Sequence, residues 1–336
     1  MIPLEAIQQA AERLRARELA LRTPLLRLHV EGGPAEIYLK LENIQPIGSF
    51  KLRGAGNAMA RAGAEALAKG VYTASAGNMA QGVAWNARRL GLPCSVIVPD
   101  HAPETKLAAI RRLGGEVIKV PFARWWEVIV SGEFDGLDGR FIHPVRDGDV
   151  MAGNGTIGLE ILEDLPAVDA VLIPYGGGGL SAGIASAIRA LKPDTRLYAV
   201  EVETAAPLAA SLRAGRPVEV EYMPSFVDGI GGKSVLPEIW PLARDLLDGS
   251  LVASLESVRA AIRLLAARGR LIAEGAGAAP LAAALAGMAG GGKVACVVSG
   301  GNIDATVLAG ILSPPHPPAP CPHKEGRGEY SRSGNV

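Results

Sequence analysis

The sequence has 336 residues, 49% of them apolar, and 34 basic side chains balance 34 acidic ones for a formal net charge of zero. That length and apolar content allow a sizeable core and favour two domains. The charge balance excludes the clustered basic excess that binding nucleic acid or an anionic membrane would require. Cys94, Cys296 and Cys321 are odd in number and show no CxxC spacing, so a disulfide framework is not expected and a reducing cytoplasm is.

In chain order, residues 2–18 mix charge with apolar residues at helical spacing, where a secretory signal needs an unbroken apolar stretch. Short apolar strands are predicted over 36–41, 71–74, 95–98, 116–120, 170–175, 197–202 and 293–298, with Ala-rich helices over 81–90, 105–113, 180–191 and 255–268 between them. Such alternation argues an α/β chain with parallel sheets covered on both faces. The charge-free run 275–292 is too rich in Ala and Gly for a membrane span and reads as a buried helix. Residues 313–336 are rich in Pro, Gly, Ser and charge, and read as a disordered tail.

Four segments fall just past predicted strands or in the loops that follow them. The first, residues 47–55, contains Ser49, a good N-cap for a helix over 51–66. Lys51 then lies in the first turn, where the positive end of the helix disfavours an ammonium ion and lowers its pKa. Such a lysine suits Schiff-base chemistry; on position alone a plain surface lysine at a helix start is the competing and commoner reading. The second segment, Ser75-Ala76-Gly77-Asn78-Met79, offers free backbone N–H groups for an anion such as a carboxylate. An ordinary turn is the competing reading. The third is Gly176, Gly177, Gly178 and Gly179, between a strand and a helix. Four successive glycines cost backbone entropy and let N–H groups converge on a phosphate. The fourth is Ser299-Gly300-Gly301-Asn302. In open parallel sheets ligands gather beyond the carboxyl ends of strands, so these segments are expected to meet in one crevice. Gly153-Asn154-Gly155-Thr156-Ile157-Gly158 matches G-x-G-x-x-G but lacks the preceding strand and the later acidic residue of a dinucleotide site, and is set aside.

A phosphate cradle and a helix-start lysine in one crevice are what pyridoxal phosphate needs. In order and spacing, Ser49-Phe50-Lys51, residues 75–78, the four glycines and residues 299–302 resemble the signature segments of the threonine dehydratase and serine racemase group of fold-type II, tryptophan synthase β-like, pyridoxal-phosphate enzymes. The resemblance spans residues 5–312. It implies a large domain from 1–67 and 148–312 and a small mobile domain from 68–147. It implies that Lys51 carries the cofactor and moves the Cα proton, that Phe50 packs on the ring, and that Asn78 bonds the ring hydroxyl. Gly176 to Gly179 would hold the phosphate and Ser299 would face the pyridine nitrogen. Ser75, Gly77, Asn78 and Met79 would take the substrate carboxylate, and residues 273–277 resemble a family segment near the cofactor. The implied reaction is dehydration and deamination of L-threonine, and of L-serine, to a 2-oxo acid and ammonia, by an assembly of identical chains.

The sequence departs from the group at Met79 for His, Asn154 for Gln and Tyr175 for Val. The second serine of the racemase loop is here Ala76. Relatives hold a divalent cation through a Glu, a backbone carbonyl and an Asp. Glu201 and Ala205 match the first two, but Pro207 stands at the third. Racemisation, dehydration of a hydroxyaspartate, or cofactor binding without turnover are the alternatives.

Overall fold

The computed structural model describes residues 1–313, so most of the segment read as a tail lies outside the described residues. Its strands are β1 Leu25–Leu28, β2 Glu36–Leu41, β3 Val71–Ala74, β4 Cys94–Pro99, β5 Glu116–Val120, β6 Arg140–Phe141, β7 Ala170–Pro174, β8 Arg196–Val202, β9 Gly249–Ala253 and β10 Lys293–Val298. Around them lie α1 Leu4–Ala16, α2 Lys51–Ala66, α3 Asn78–Leu90, α4 Glu104–Arg112, α5 Phe122–Ser131, α6 Gly148–Asp164, α7 Gly179–Leu191, α8 Pro207–Ala214, α9 Trp240–Leu246, α10 Leu255–Leu264, α11 Gly275–Leu285 and α12 Ala305–Leu312. The strands form a six-stranded sheet, β1-β2-β10-β7-β8-β9, and a four-stranded sheet, β5-β4-β3-β6. Every pairing is parallel except that of β1 with β2.

Side chains of β7 show why the larger sheet is covered twice. Ala170 and Leu172 join a core with α10 and α11, whereas Val171 and Ile173 join another with α7 and α9. A strand apolar on both faces needs a helix layer on each.

The expected helices begin and end differently in places. Ser49 is not the N-cap of α2; that position is Phe50, and Ser49 Oγ only approaches Lys51 N at 3.4 Å. Ser75 does not cap α3 either. It accepts from Gly77 N at 3.2 Å inside the loop, so α3 starts at Asn78, three residues earlier than expected. The run expected to be one helix over 255–268 breaks at Leu264 into a π-type turn, Leu265–Gly269. The G-x-G-x-x-G match lies inside α6, where glycine serves packing. A Cβ on Gly153 would sit 2.5 Å from Arg53 O, and one on Gly155 would sit 2.9 Å from Gly183 O.

Between α2, α6 and β2 lies a buried charge network. Arg53, 2% exposed, donates through Nε and Nη2 to Glu42 at 2.8 Å each. It also donates to Glu160 at 2.7 and 2.9 Å and to Thr156 Oγ1 at 3.0 Å. Lys40, fully buried, donates to Glu160 and to Thr23 O, each at 2.6 Å. Two cations face two anions and the donors are satisfied, the condition under which buried charge is tolerated. Glu160 is held below the usual carboxylate range by Arg53 and Lys40, against the opposing effect of its own burial. Its contribution is therefore present above the unfolded carboxylate pKa and lost as pH falls through the depressed folded value. Arg53→Ala would strand Glu42 and Glu160, and should cost about 3–5 kcal/mol in denaturant unfolding. A loss below about 1 kcal/mol would show the network to be dispensable.

Candidate active site

Three backbone hydrogen bonds and two missing side chains assemble the site. Phe50 N donates to Ser299 O at 3.0 Å, Gly301 N to Gly48 O at 2.9 Å and Glu274 N to Gly300 O at 3.0 Å. These bonds lash the start of α2 and the start of α11 to the turn after β10. Gly82 on α3 lies so close to α2 that a Cβ would stand 3.0 Å from the Lys51 carbonyl carbon. Gly277 on α11 likewise leaves only 2.5 Å to Gly300 O. Larger residues at either position would push a helix away from the shared crevice.

The crevice is a cavity of about 520 Å³, lined by Phe50, Lys51, Ser75, Gly77, Asn78, Met79, Gly176, Gly177, Gly178, Gly179 and Ser299. Loops after β3, β7 and β10 thus meet the start of α2, although their residues span most of the chain. Glu201 and Ala205 do not line this cavity.

Lys51 Nζ lies 5.0 Å from the Phe50 ring centroid and 3.4 Å from Pro144 O. Its pKa is lowered to about 8 by burial, with the negative charge of Glu274 opposing. Removal from water is the main cause, where the sequence pointed to the field of the helix. An amine at that value is partly neutral near pH 7, as a nucleophilic or proton-accepting lysine must be.

The glycine run is shaped by its neighbours. A Cβ on Gly177 would meet Val145 Cγ2 at 2.5 Å, one on Gly179 would meet Val145 O at 2.8 Å, and Gly178 has φ +89°. The first backbone N–H after Tyr175 to find a backbone acceptor is that of Ala182, on Gly178 O. The N–H groups before it, at the start of α7, are therefore free for an anion. Tyr175 lies underneath, 1% exposed, with its hydroxyl unpartnered. Asn154 Nδ2 reaches Gly179 O at 3.4 Å.

At α3, the N–H groups of Asn78, Met79 and Ala80 are free of backbone acceptors, and the helix ladder opens with Gln81 N on Gly77 O at 3.3 Å. The Met79 side chain is 3% exposed and packs in the core of the four-stranded sheet. At that position only the backbone N–H is offered to a ligand.

Two groups of the site carried no assigned role in the sequence. Glu274, 7% exposed, accepts from Asn78 Nδ2 at 2.9 and 3.1 Å, while Asn78 Oδ1 accepts from Asn302 Nδ2 at 2.8 Å. The chain Asn302 to Asn78 to Glu274 fixes which way the Asn78 amide points. His143 Nδ1 accepts from Val145 N and Arg146 N at 3.0 Å each, which leaves its proton on Nε2, 3.2 Å from Ile129 O. Burial, aided by the charge of Arg146, pushes its pKa down to about 4. A neutral His143 thus shapes the turn that presents Pro144 O to Lys51 and Val145 to the glycines. Nothing in its sequence spacing signalled that role.

A model of the family described as pyridoxal-phosphate dependent enzymes matches residues 17–300. An L-threonine ammonia-lyase of Geobacter sulfurreducens is 43% identical over 319 residues, covering 93% of this chain and 78% of that protein. Among solved structures, the processed form of threonine deaminase isoform 2 from Solanum lycopersicum has a TM-score of 0.82 at 34% identity, covering 91% of this chain and 92% of that one. Maize serine racemase has a TM-score of 0.80 at 30% identity, covering 91% of this chain and 95% of that one. The cavity suits such a cofactor: free N–H groups beside glycines that exclude any Cβ accept a phosphate, and a lysine of lowered pKa stands in the same cavity.

Burial pushes the Glu274 carboxyl up to about 7, against the lowering effect of the Asn78 hydrogen bond. A carboxyl with a raised folded pKa carries no penalty below its unfolded value near 4.3, and its penalty grows until pH passes the folded value. Melting curves from pH 4 to 8 should show Glu274→Gln gaining on the wild type between about pH 5 and 7, by on the order of 3 kcal/mol at pH 8. Parallel curves across that window would contradict an ionising Glu274.

Proposed function

The chain belongs to the pyridoxal-phosphate dependent enzymes, and from that premise we propose that it is an L-threonine ammonia-lyase, a carbon–nitrogen lyase that also accepts L-serine. The products are 2-oxobutyrate or pyruvate, with ammonia. The observation that carries this reading is one cavity holding Lys51, the free N–H groups at the start of α3 and the free N–H groups before α7. The 43% identity to a protein of that activity supports the substrate.

In this reading Gly176 to Gly179 hold the cofactor phosphate, Phe50 flanks its ring, Asn78 meets the ring hydroxyl and Ser299 the ring nitrogen. When bound, the cofactor supplies an electron sink that acidifies the substrate Cα–H. The N–H groups of Asn78, Met79 and Ala80 bind the substrate carboxylate, and Ser75 and Gly77 shape that loop. Lys51 Nζ is the amine that carries the cofactor and, once released by substrate, takes the Cα proton. The proton taken from Cα balances the departing β-hydroxyl so that water would leave, and hydrolysis of the released enamine would consume one water and give the 2-oxo acid and ammonia. Residues 68–147 form the smaller unit that closes on substrate. At the rim, Lys106 of α4 bonds Asp228 at 2.6 Å, and both residues line the cavity. No helix of the described residues is long and apolar enough to cross a membrane; a cytoplasmic assembly of two or four identical chains fits this reading.

Release of 2-oxo acid from L-threonine, L-serine and a hydroxyaspartate should favour threonine, and Lys51→Ala should lower it by at least about 10³-fold. A panel with no turnover would leave a binder and overturn the proposal. Ala76 lines the cavity, and its methyl group cannot deliver a proton to the face of Cα opposite Lys51. With L-serine, chiral chromatography should therefore show pyruvate well in excess of D-serine, and Ala76→Ser should raise the D-serine share. Comparable amounts of both products from the wild type would contradict this placement of the loop.

A further inference from the structure

Glu201 lies one residue before the end of β8 with its side chain fully buried. Among the described residues its hydrogen-bond donors are all neutral. A buried carboxylate without compensation is among the costliest arrangements a fold can hold. The compensation is nevertheless present. Oε1 accepts from Leu208 N at 2.8 Å, and Oε2 accepts from Ala209 N at 2.8 Å and from Ser250 Oγ at 2.7 Å.

Leu208 and Ala209 lie in the first turn of α8, whose N-terminal N–H groups have no partners within the helix and carry its positive end. Pro207 opens that helix, a position where proline loses no hydrogen bond. Ser250 reaches across from β9, the neighbouring parallel strand. The intervening loop is drawn tight by Ala205 N donating to Val202 O at 3.0 Å. Both carboxylate oxygens are thus engaged, and the side chain at position 207 has no atom that could ligate a cation.

We infer that the start of α8 and the Ser250 hydroxyl take the place of a divalent cation at Glu201, so that this chain is stable and active without one. The donor set, rather than any metal, occupies both carboxylate oxygens. The loop from β8 to α8 is then held by hydrogen bonds that chelators cannot remove.

The test is to treat the cofactor-loaded enzyme with EDTA, remove the chelator, and add millimolar Ca²⁺, Mg²⁺ or Mn²⁺ separately. Melting temperature should stay within about 1 °C and 2-oxo acid turnover within about twofold under all conditions. Ser250→Ala should melt several degrees lower, and no cation should restore it. A rise of more than about 3 °C with any of the three cations in the wild type would overturn the inference. Rescue of Ser250→Ala by a cation would overturn it as well. The melting readout does not depend on which amino acid the enzyme turns over.

Discussion

Lys51 faces the cavity because Arg53, two residues further along α2, cannot turn away from Glu42 and Glu160. Two positions along a helix lie about 200° apart around its axis, so anchoring one side chain inward on the α6 side aims the other at the opposite side. The bidentate contacts of a guanidinium fix orientation as well as position. The same network ties α2 to the turn after β2 through Glu42 and to α6 through Glu160. The reactive amine is therefore positioned by a charge cluster that never touches the cavity.

Around that fixed point the fold brings helix N-termini together. The starts of α2, α3, α7 and α11 all contribute to the cavity wall. Each start carries unsatisfied N–H groups, and a crevice ringed by them favours anions such as a phosphate and a carboxylate. Such convergence needs backbones to approach more closely than side chains permit. Gly82 against Lys51, Gly277 against Gly300, and Gly177 and Gly179 against Val145 supply the room. Two buried carboxyl groups, Glu274 in the cavity wall and Glu201 outside it, are held by different partners. Burial raises the pKa of both, against the Asn78 hydrogen bond at Glu274 and against the Ser250, Leu208 and Ala209 donors at Glu201.

Much of this was legible in the sequence because the informative residues are backbone-driven. Expected strands at 36–41, 71–74, 116–120 and 293–298 match β2, β3, β5 and β10 residue for residue, since buried parallel strands read as unbroken apolar runs. The four segments that meet in the cavity were visible because glycine clusters after strands have few structural explanations. Less was legible where tertiary contacts decide. β1 and β9 are short edge strands with mixed exposure, and no apolar run marks them. Ser49 and Ser75 have the composition of helix caps, yet the strand-like tie to Ser299 and Gly300 pulls the first out of position. The role of Glu274 depends on Asn78, far away in sequence, and that of His143 on the turn that folds Val145 N and Arg146 N back onto its ring, neither of which spacing along the chain can show.

The claim on which this account rests is that Lys51, and no other lysine, carries the cofactor. Borohydride reduction of the purified protein, followed by proteolysis and mass spectrometry, would fix a pyridoxyl group irreversibly where it was bound. The account predicts the label on the peptide containing Lys51, with Lys106, the other lysine lining the cavity, unmodified. Label on Lys106, or on any lysine outside the cavity, would contradict it.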